Sequence, residues 1–272
     1  MAAGDFGSPS SGNLVPRMPL TTVVRRYFVI IAALLRREAL LRIHSPLGSL
    51  LAIGEPTLML LAWGIPMMLL WHRPPYGPSI MLFLATGFFP YYLFVRLSTR
   101  LWIDNPARRF AIEKPLDHAF VSTIMAVIEY AIFGFGLFAS LYFLASPLAC
   151  PTYALPLLGS LALTVTMGFG VGLTNVIIRK FAPWWGIIYS GLIRVGMIFS
   201  GIHVVVDTLP PEYRSLMSYN PILHMVELAR LGFYPRYPHA TLDVRYLVWS
   251  AIFAAFFGLV LERALRRRTE KL

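Results

Sequence analysis

The side chains most able to do chemistry lie in one short stretch, YNPILHMVELARLGFY at 219–234, where His224, Glu227 and Arg230 recur at a spacing of three. Residues three apart are neighbours on a helix, so they form one polar stripe on an otherwise apolar rod. Asn220 followed by Pro221 reads as the start of that rod, with asparagine as the cap and proline in the first turn, and Pro235 lies beyond its end. His224 and Glu227 alone fall short of a catalytic zinc site, which needs a third protein ligand and a water. An ion pair or an external gate suits the stripe better, with Asn220, Pro221, His224, Glu227 and Arg230 as its parts.

Two further ionisable residues, Arg96 and Glu129, fall inside long apolar stretches, where charge is costly and faces protein or water rather than lipid. They form a structural pair, or else Arg96 meets an acidic substrate group. Aromatic residues crowd around them at Phe88, Phe89, Tyr91, Tyr92 and Phe94, and again at Trp184, Trp185 and Tyr189. Such rings either make an interfacial belt or stack on sugars. On the second reading Tyr91, Tyr92, Arg96, Trp184, Trp185 and Tyr189 line a substrate path.

Other chemistry is missing. A phosphate-binding loop ends in Gly-Lys-Ser or Gly-Lys-Thr, and none of Lys114, Lys180 and Lys271 follows a glycine. Gly134, Gly136 and Ala139 fit a loose dinucleotide pattern, but inside an apolar stretch with no preceding strand the match is accidental. Neither H-E-x-x-H nor G-x-S-x-G occurs, so zinc-peptidase and serine-hydrolase signatures are lacking, and no catalytic or metal-binding residue is assigned. The single cysteine, Cys150, cannot form an intrachain disulfide.

The elements that must position these groups follow from composition. The chain has 272 residues, 57% apolar and 14% charged, and lipid is the solvent such a composition implies. Crossing a hydrocarbon core of about 30 Å takes roughly 20 apolar residues. Six stretches qualify, near 47–71, 79–101, 117–144, 153–178, 185–206 and 245–262. The net charge of +11 is explained by topology rather than nucleic acid. Arg17, Arg25, Arg26, Arg36, Arg37 and Arg42 precede the first span; Arg100, Arg108, Arg109 and Lys114 follow the second, Arg179 and Lys180 the fourth, and Arg263 to Lys271 the last. The opposite side holds only Arg73, Arg214, Arg230, Arg236 and Arg245, so the positive-inside rule puts both termini in the cytoplasm.

The expected organisation is an all-α integral membrane protein. Residues 1–20 are a disordered cytoplasmic tail with no signal-peptide pattern, and 21–46 an amphipathic helix on the cytoplasmic surface. A transmembrane domain covers 47–265, and 266–272 is a basic cytoplasmic tail. Pro46, Pro56 and Pro66 kink the first span, and Gly168 with Gly172, Gly186 with Ser190, and Gly196 with Ser200 let helices approach closely. The segment at about 201–235 is too long for a turn and too apolar for an open loop, and reads as re-entrant helices between spans five and six. Between spans two and three, Asn105 caps a short helix that opens at Pro106 and stops at Pro115.

FLATGFFPYYLF at 83–94 and DNPARRFAIEKPLDHAF at 104–120 resemble the second span and following cytoplasmic loop of ABC-2-type capsular polysaccharide export permeases. Gly54-Glu55-Pro56 looks like a Glu-Pro element of that family, and FSGIHVVVDTLP at 199–210, the 219–234 stretch and Leu242-Asp243 are similar to its external re-entrant region. Pro106 and the double arginine depart from the pattern. The resemblance implies a homodimer with two separate ATPase subunits, which bind the ATP and Mg, and no cofactor in this chain. It further implies a periplasmic co-polymerase or adaptor, and export of a lipid-linked glycan across a bacterial inner membrane. The short helix then becomes a coupling helix, with Asn105, Pro106, Arg108, Arg109 and Glu113 against the ATPase. An ABC-2 permease for another cargo, such as an O-antigen, a teichoic acid or a small molecule, stays open, because fold does not fix substrate. A polytopic enzyme would need a convergent acid/base cluster, and a secondary transporter commonly shows inverted repeats; neither is visible.

The charge asymmetry is directly testable. In a Cys150→Ser background, cysteines placed at Ser8 and Glu270 are expected to resist a membrane-impermeant thiol reagent in intact cells, and cysteines at Tyr76 or Glu212 to react. Reaction at either terminus overturns the six-span topology.

Overall fold

The computed structural model describes residues 20–43, 46–71, 73–100, 115–144 and 146–269. Among them every regular element is helical. In chain order these are α1 (Leu20–Ile43), α2 (Pro46–Leu70), α3 (Ile80–Arg100) and α4 (Pro115–Leu144), then α5 (Ala154–Phe181), α6 (Trp185–Ile198), α7 (Pro211–Ser218), α8 (Pro221–Phe233) and α9 (Val244–Thr269). Short 3-10 turns lie at Pro147–Ala149 and Val206–Thr208.

Four of these, α3, α4, α5 and α9, are long and apolar enough to cross a membrane. The described apolar parts of α2, Gly54–Leu70, and α6, Trp185–Ile198, are shorter. Pro56 and Pro66 in α2, and Pro90 in α3, sit within helices that run on through them. Neighbouring helices make that tolerable in a bundle by meeting the freed backbone groups.

Helix α3 is the central post. It packs against α2, α4, α5 and α8, and Leu82, Phe83, Leu84 and Ala85 are wholly buried on successive sides of it. A helix buried all round must be apolar all round, which is how α3 reads from Ile80 to Phe89. By contrast α4 and α9 turn most of their surface outward, displaying Ile132, Phe135, Phe253 and Phe256, as suits a lipid-facing rim. The N-terminal α1 lays Leu34 against Val121 and Met125 of α4.

The tightest crossing joins α5 to α9. A Cβ on Gly170 would run into the backbone of Ala254, and one on Gly258 into the carbonyl of Gly170, so both positions require glycine. Without a hydrophobic drive between helices in lipid, backbone approach through small residues is what gains dispersion energy. The small pairs singled out from sequence behave differently. A Cβ on Gly168 would come 2.8 Å from Leu97 of α3, while Gly196 faces open space.

The fifth expected span, 185–206, is not continuous. Helix α6 ends at Ile198, the chain turns through Gly201 at φ 69°, and Ile202, Val205 and Val206 drop into the core. The Ser200 hydroxyl closes the last turn on the Met197 carbonyl at 2.6 Å. Fourteen residues reach only about 21 Å at the usual helical rise, so α6 alone is short of a full hydrocarbon core.

Gly258→Leu is expected to pry α9 from α5, lowering the melting temperature in detergent by several degrees and reducing the folded yield. Gly196→Leu, with room for its side chain, is the control that stays within a degree or two of the unchanged protein. Equal melting of both overturns the crossing.

Candidate functional site

The polar stripe lies on α8, whose start the sequence writes plainly. The Asn220 side chain accepts from the Ile222 N–H at 3.1 Å, and its amide donates to the Phe199 carbonyl at 3.0 Å. One residue thereby caps α8 and ties it to the end of α6, with Pro221 in the first turn. From there α8 is wedged against α3, α5 and α9. His224, Glu227 and Arg230 are all buried, at 1%, 1% and 0% exposure. Burial separates them from any open surface of the protomer.

Arg230 is the largest wholly buried side chain among the described residues. Its Nη1 donates to the Gly201 carbonyl at 2.8 Å and to the Tyr237 hydroxyl at 3.0 Å, and its Nη2 donates to the Ile202 carbonyl at 2.6 Å. The guanidinium also lies over the Phe83 ring, 3.8 Å from its centroid, a favourable cation–π geometry. Gly87 on α3 makes room for it, since a Cβ there would sit 2.9 Å from Nη2. The sequence offers Glu227 one turn away as an ion-pair partner. The structure instead gives Arg230 carbonyls, a hydroxyl and a ring.

His224 joins two other segments. Its Nδ1 accepts from the Asp243 backbone N–H at 3.1 Å, leaving Nε2–H to donate to the Ser218 carbonyl at 2.9 Å. Both ring nitrogens are used by the neutral form, and burial lowers the imidazole pKa from its ordinary value. Asp207, unremarked in the sequence, accepts the N–H groups of Ala240 at 2.7 Å and Thr241 at 3.0 Å. Tyr246 closes the region by donating to the Tyr219 carbonyl at 2.7 Å. Residues 199–246 are thus a cross-tied cap rather than an open loop, with α7 and α8 as its helices.

Glu227 stands apart, because neither carboxylate oxygen has a hydrogen-bond partner. Burial, helped by the charge of Asp207 and opposed by Arg230, pushes its pKa up to about 8. At neutral pH the acid is therefore mostly protonated.

The aromatic and basic residues proposed for a path fall into two groups. Tyr91, Trp185 and Tyr189 lie in the seam between α3, α5 and α6. The Tyr91 hydroxyl donates to the Ile193 carbonyl at 2.7 Å, and Trp185 Nε1 donates to Asn175 Oδ1 at 2.9 Å. Asn175, which sequence reasoning missed, extends that chain to the Ser98 carbonyl at 3.2 Å; a buried asparagine inside an apolar span was the available signal. Tyr92 and Arg96 form the second group, one turn apart on α3, with Arg96 3.6 Å from Glu129 of α4. Trp184 is exposed. Asn105, Pro106, Arg108, Arg109 and Glu113 lie outside the described residues. Among the described residues no three His, Cys, Asp or Glu side chains gather as metal ligands would.

No protein-family model matches the chain. It is similar to a polysialic acid transport protein. That relative, KpsM of Escherichia coli, is 27% identical over 244 residues, an alignment covering 86% of this chain and 93% of the relative. A second KpsM sequence from the same species matches to the same extent. The likeness is therefore one of whole chains, spanning the helical bundle and the cap alike.

The protonated Glu227 fixes a sign for pH dependence. An acid whose folded pKa lies above its unfolded value binds more protons in the folded state, so stability falls as pH rises between the two. The penalty is absent below about 4.5, grows above it, and levels off past about 8. Glu227→Gln, a neutral isostere, is expected to flatten that part of the curve and to melt higher than the unchanged protein at pH 8.5 but not at pH 5. Parallel melting curves for the two proteins across pH 5 to 8.5 overturn the assignment.

Proposed function

We propose that this chain is the membrane-spanning permease subunit of an ATP-driven polysaccharide exporter. The observation that carries the reading is the near full-length similarity to a polysialic acid transport protein. It accords with a chain rich in long apolar helices and with a sequence that lacks any phosphate-binding loop. Hydrolysis then belongs to a separate ATPase, which binds the ATP and Mg.

The finer reading is a bacterial inner-membrane protein of six spans, counting α2 to α6 and α9, with both termini cytoplasmic. Two copies pair with two ATPase subunits and hand a lipid-linked capsular glycan to a periplasmic adaptor. A conduit between two copies suits a protomer whose central helix is already buried all round. Arg96 is the best placed of the path candidates, for it keeps part of its surface accessible beside Glu129 and guanidinium pairs well with acidic sugars, whereas Tyr92 is buried beside it. Tyr91 and Trp185 hold the α3–α5–α6 seam through their hydrogen bonds. The cross-tied cap over α8 serves as the external gate, moving as a unit.

Coupling rests on the segment from Asn105 to Pro115, where Arg108, Arg109 and Glu113 give a short helix charges suited to a groove on the ATPase. Reversing Arg108 and Arg109 to glutamate is expected to abolish pull-down of the ATPase and glycan-stimulated hydrolysis in reconstituted membranes, with the permease still inserted. Retention of both by the reversed protein removes this segment as the coupling element.

A further inference from the structure

A cleft of about 1060 Å³ opens between α2, α4 and the beginning of α3. Its walls are aliphatic and aromatic, with Leu60 and Met68 from α2, Met81 from α3, and Ile132, Leu137 and Leu141 from α4. None of the residues discussed for transport lines it. Four features of this cleft bear on what it holds.

The first is its depth. The α4 wall runs from Leu144 at the rim to Ile132 at the floor, about 18 Å along a helix rising about 1.5 Å per residue. Half of a ~30 Å hydrocarbon core is about 15 Å, so the cleft is as deep as one leaflet. The second is the rim, formed by the 71–79 connection, where Trp71 lines the cleft and Tyr76 donates to the Arg236 carbonyl at 2.5 Å. Trp and Tyr favour the depth of lipid headgroups. The third is charge. Arg73 lies in sequence between Trp71 and Pro74, both part of the wall, and the backbone of Arg236 is held to the same connection, its carbonyl accepting from Tyr76. Both arginines are exposed, and neither pairs with an acid among the described residues. The fourth is Gly136, a wall residue at which an added Cβ would meet nothing within 4 Å.

We infer that this cleft is a binding site for an anionic phospholipid of the bilayer, its acyl chains against α2 and α4 and its phosphate beside Arg73 and Arg236. The four features fit one molecule: apolar tails of leaflet length below, an aromatic collar at the headgroup, and cations above. Guanidinium binds phosphate through paired N–H donors, which gives the headgroup preference. The inference is independent of the exporter reading, because lipid retention rather than transport reports on it.

The full-length protein is purified in detergent, exposed to equal phosphatidylglycerol and phosphatidylcholine of matched chains, and weighed intact with its adducts by native mass spectrometry. Phosphatidylglycerol is expected to be retained several-fold over phosphatidylcholine. Gly136→Phe, which projects a ring into open space, should reduce retained lipid at least fivefold, while Gly191→Phe, on an equally open position of α6, leaves it unchanged. Arg73→Gln with Arg236→Gln should leave tail binding but equalise the two lipids. Wild-type retention by Gly136→Phe, or no headgroup preference in the unchanged protein, overturns the site. So does loss of a dimer in Gly136→Phe without loss of lipid, which would make a second copy the occupant. Should Gly136→Phe fold poorly, phosphatidylglycerol brominated in its tails gives a separate readout on the unchanged sequence. Saturable quenching that disappears in Trp71→Phe supports the site, and quenching merely linear in lipid fraction overturns it.

Discussion

A single buried cation organises the region where α3, α6 and α8 meet. Arg230 reaches from α8 to the carbonyls of Gly201 and Ile202, just past the end of α6, while its face rests on Phe83 of α3. Carbonyls beyond a helix C-terminus carry partial negative charge and lack helical donors, so a guanidinium there satisfies groups that burial would otherwise penalise. Each such unpaired buried group costs about 1 to 3 kcal/mol. The neighbouring residues conform to this requirement. Gly201 turns with positive φ, Gly87 leaves space for Nη2, and Tyr237 presents its hydroxyl. The early end of α6, the burial of 201–206 and the seating of α8 all depend on this contact.

A second constraint acts through α3. Arg230 packs on Phe83 and α5 packs on the side around Leu97, so the central helix is buried along most of its length and keeps partly accessible side chains only toward its end, at Val95, Arg96 and Thr99. Several of its polar atoms are engaged in the same way: Thr86 and Ser98 hydroxyls donate to carbonyls of their own helix, and the Ser98 carbonyl receives the Asn175 amide. The ring of α2, α4, α6 and α9 carries the outward apolar surface instead. Rigid interior and apolar exterior are the properties needed of a body that moves whole within a membrane.

What sequence made legible here was local. The N-cap at Asn220, Pro221 in the first turn and Pro235 beyond the end bound α8 to within two residues, because capping chemistry depends only on adjacent backbone groups. The apolar runs placed α2, α3, α4, α5 and α9 within a few residues except at the basic end of α9, which runs on to Thr269. The Arg96–Glu129 contact followed from the cost of lone charge in apolar helices. What stayed hidden was long-range. Gly168 and Gly172 have the spacing of a close-packing pair, yet the closest backbone approach uses Gly170 and Gly258, which belong to different helices and share no local pattern. The 185–206 run is apolar enough to span, and the groups that meet its carbonyls where it breaks, Asn220 and Arg230, lie far along the chain. Asn175 and Asp207 draw their roles from partners many residues away.

The Glu227 carboxyl shows why spacing alone misassigns a polar stripe. Glu227 and Arg230 are close enough in sequence to pair on one helix, but the guanidinium directs its Nη groups at the Gly201 and Ile202 carbonyls instead. The two Nη groups are spent on neutral acceptors and the face on a ring, while Nε is left without a partner among the described residues, as are both Glu227 oxygens. Burial without a donor favours the neutral acid, which is why its pKa is pushed up to about 8. Helix α8 therefore sits in the bundle with a fixed positive charge and a neutral acid one turn apart.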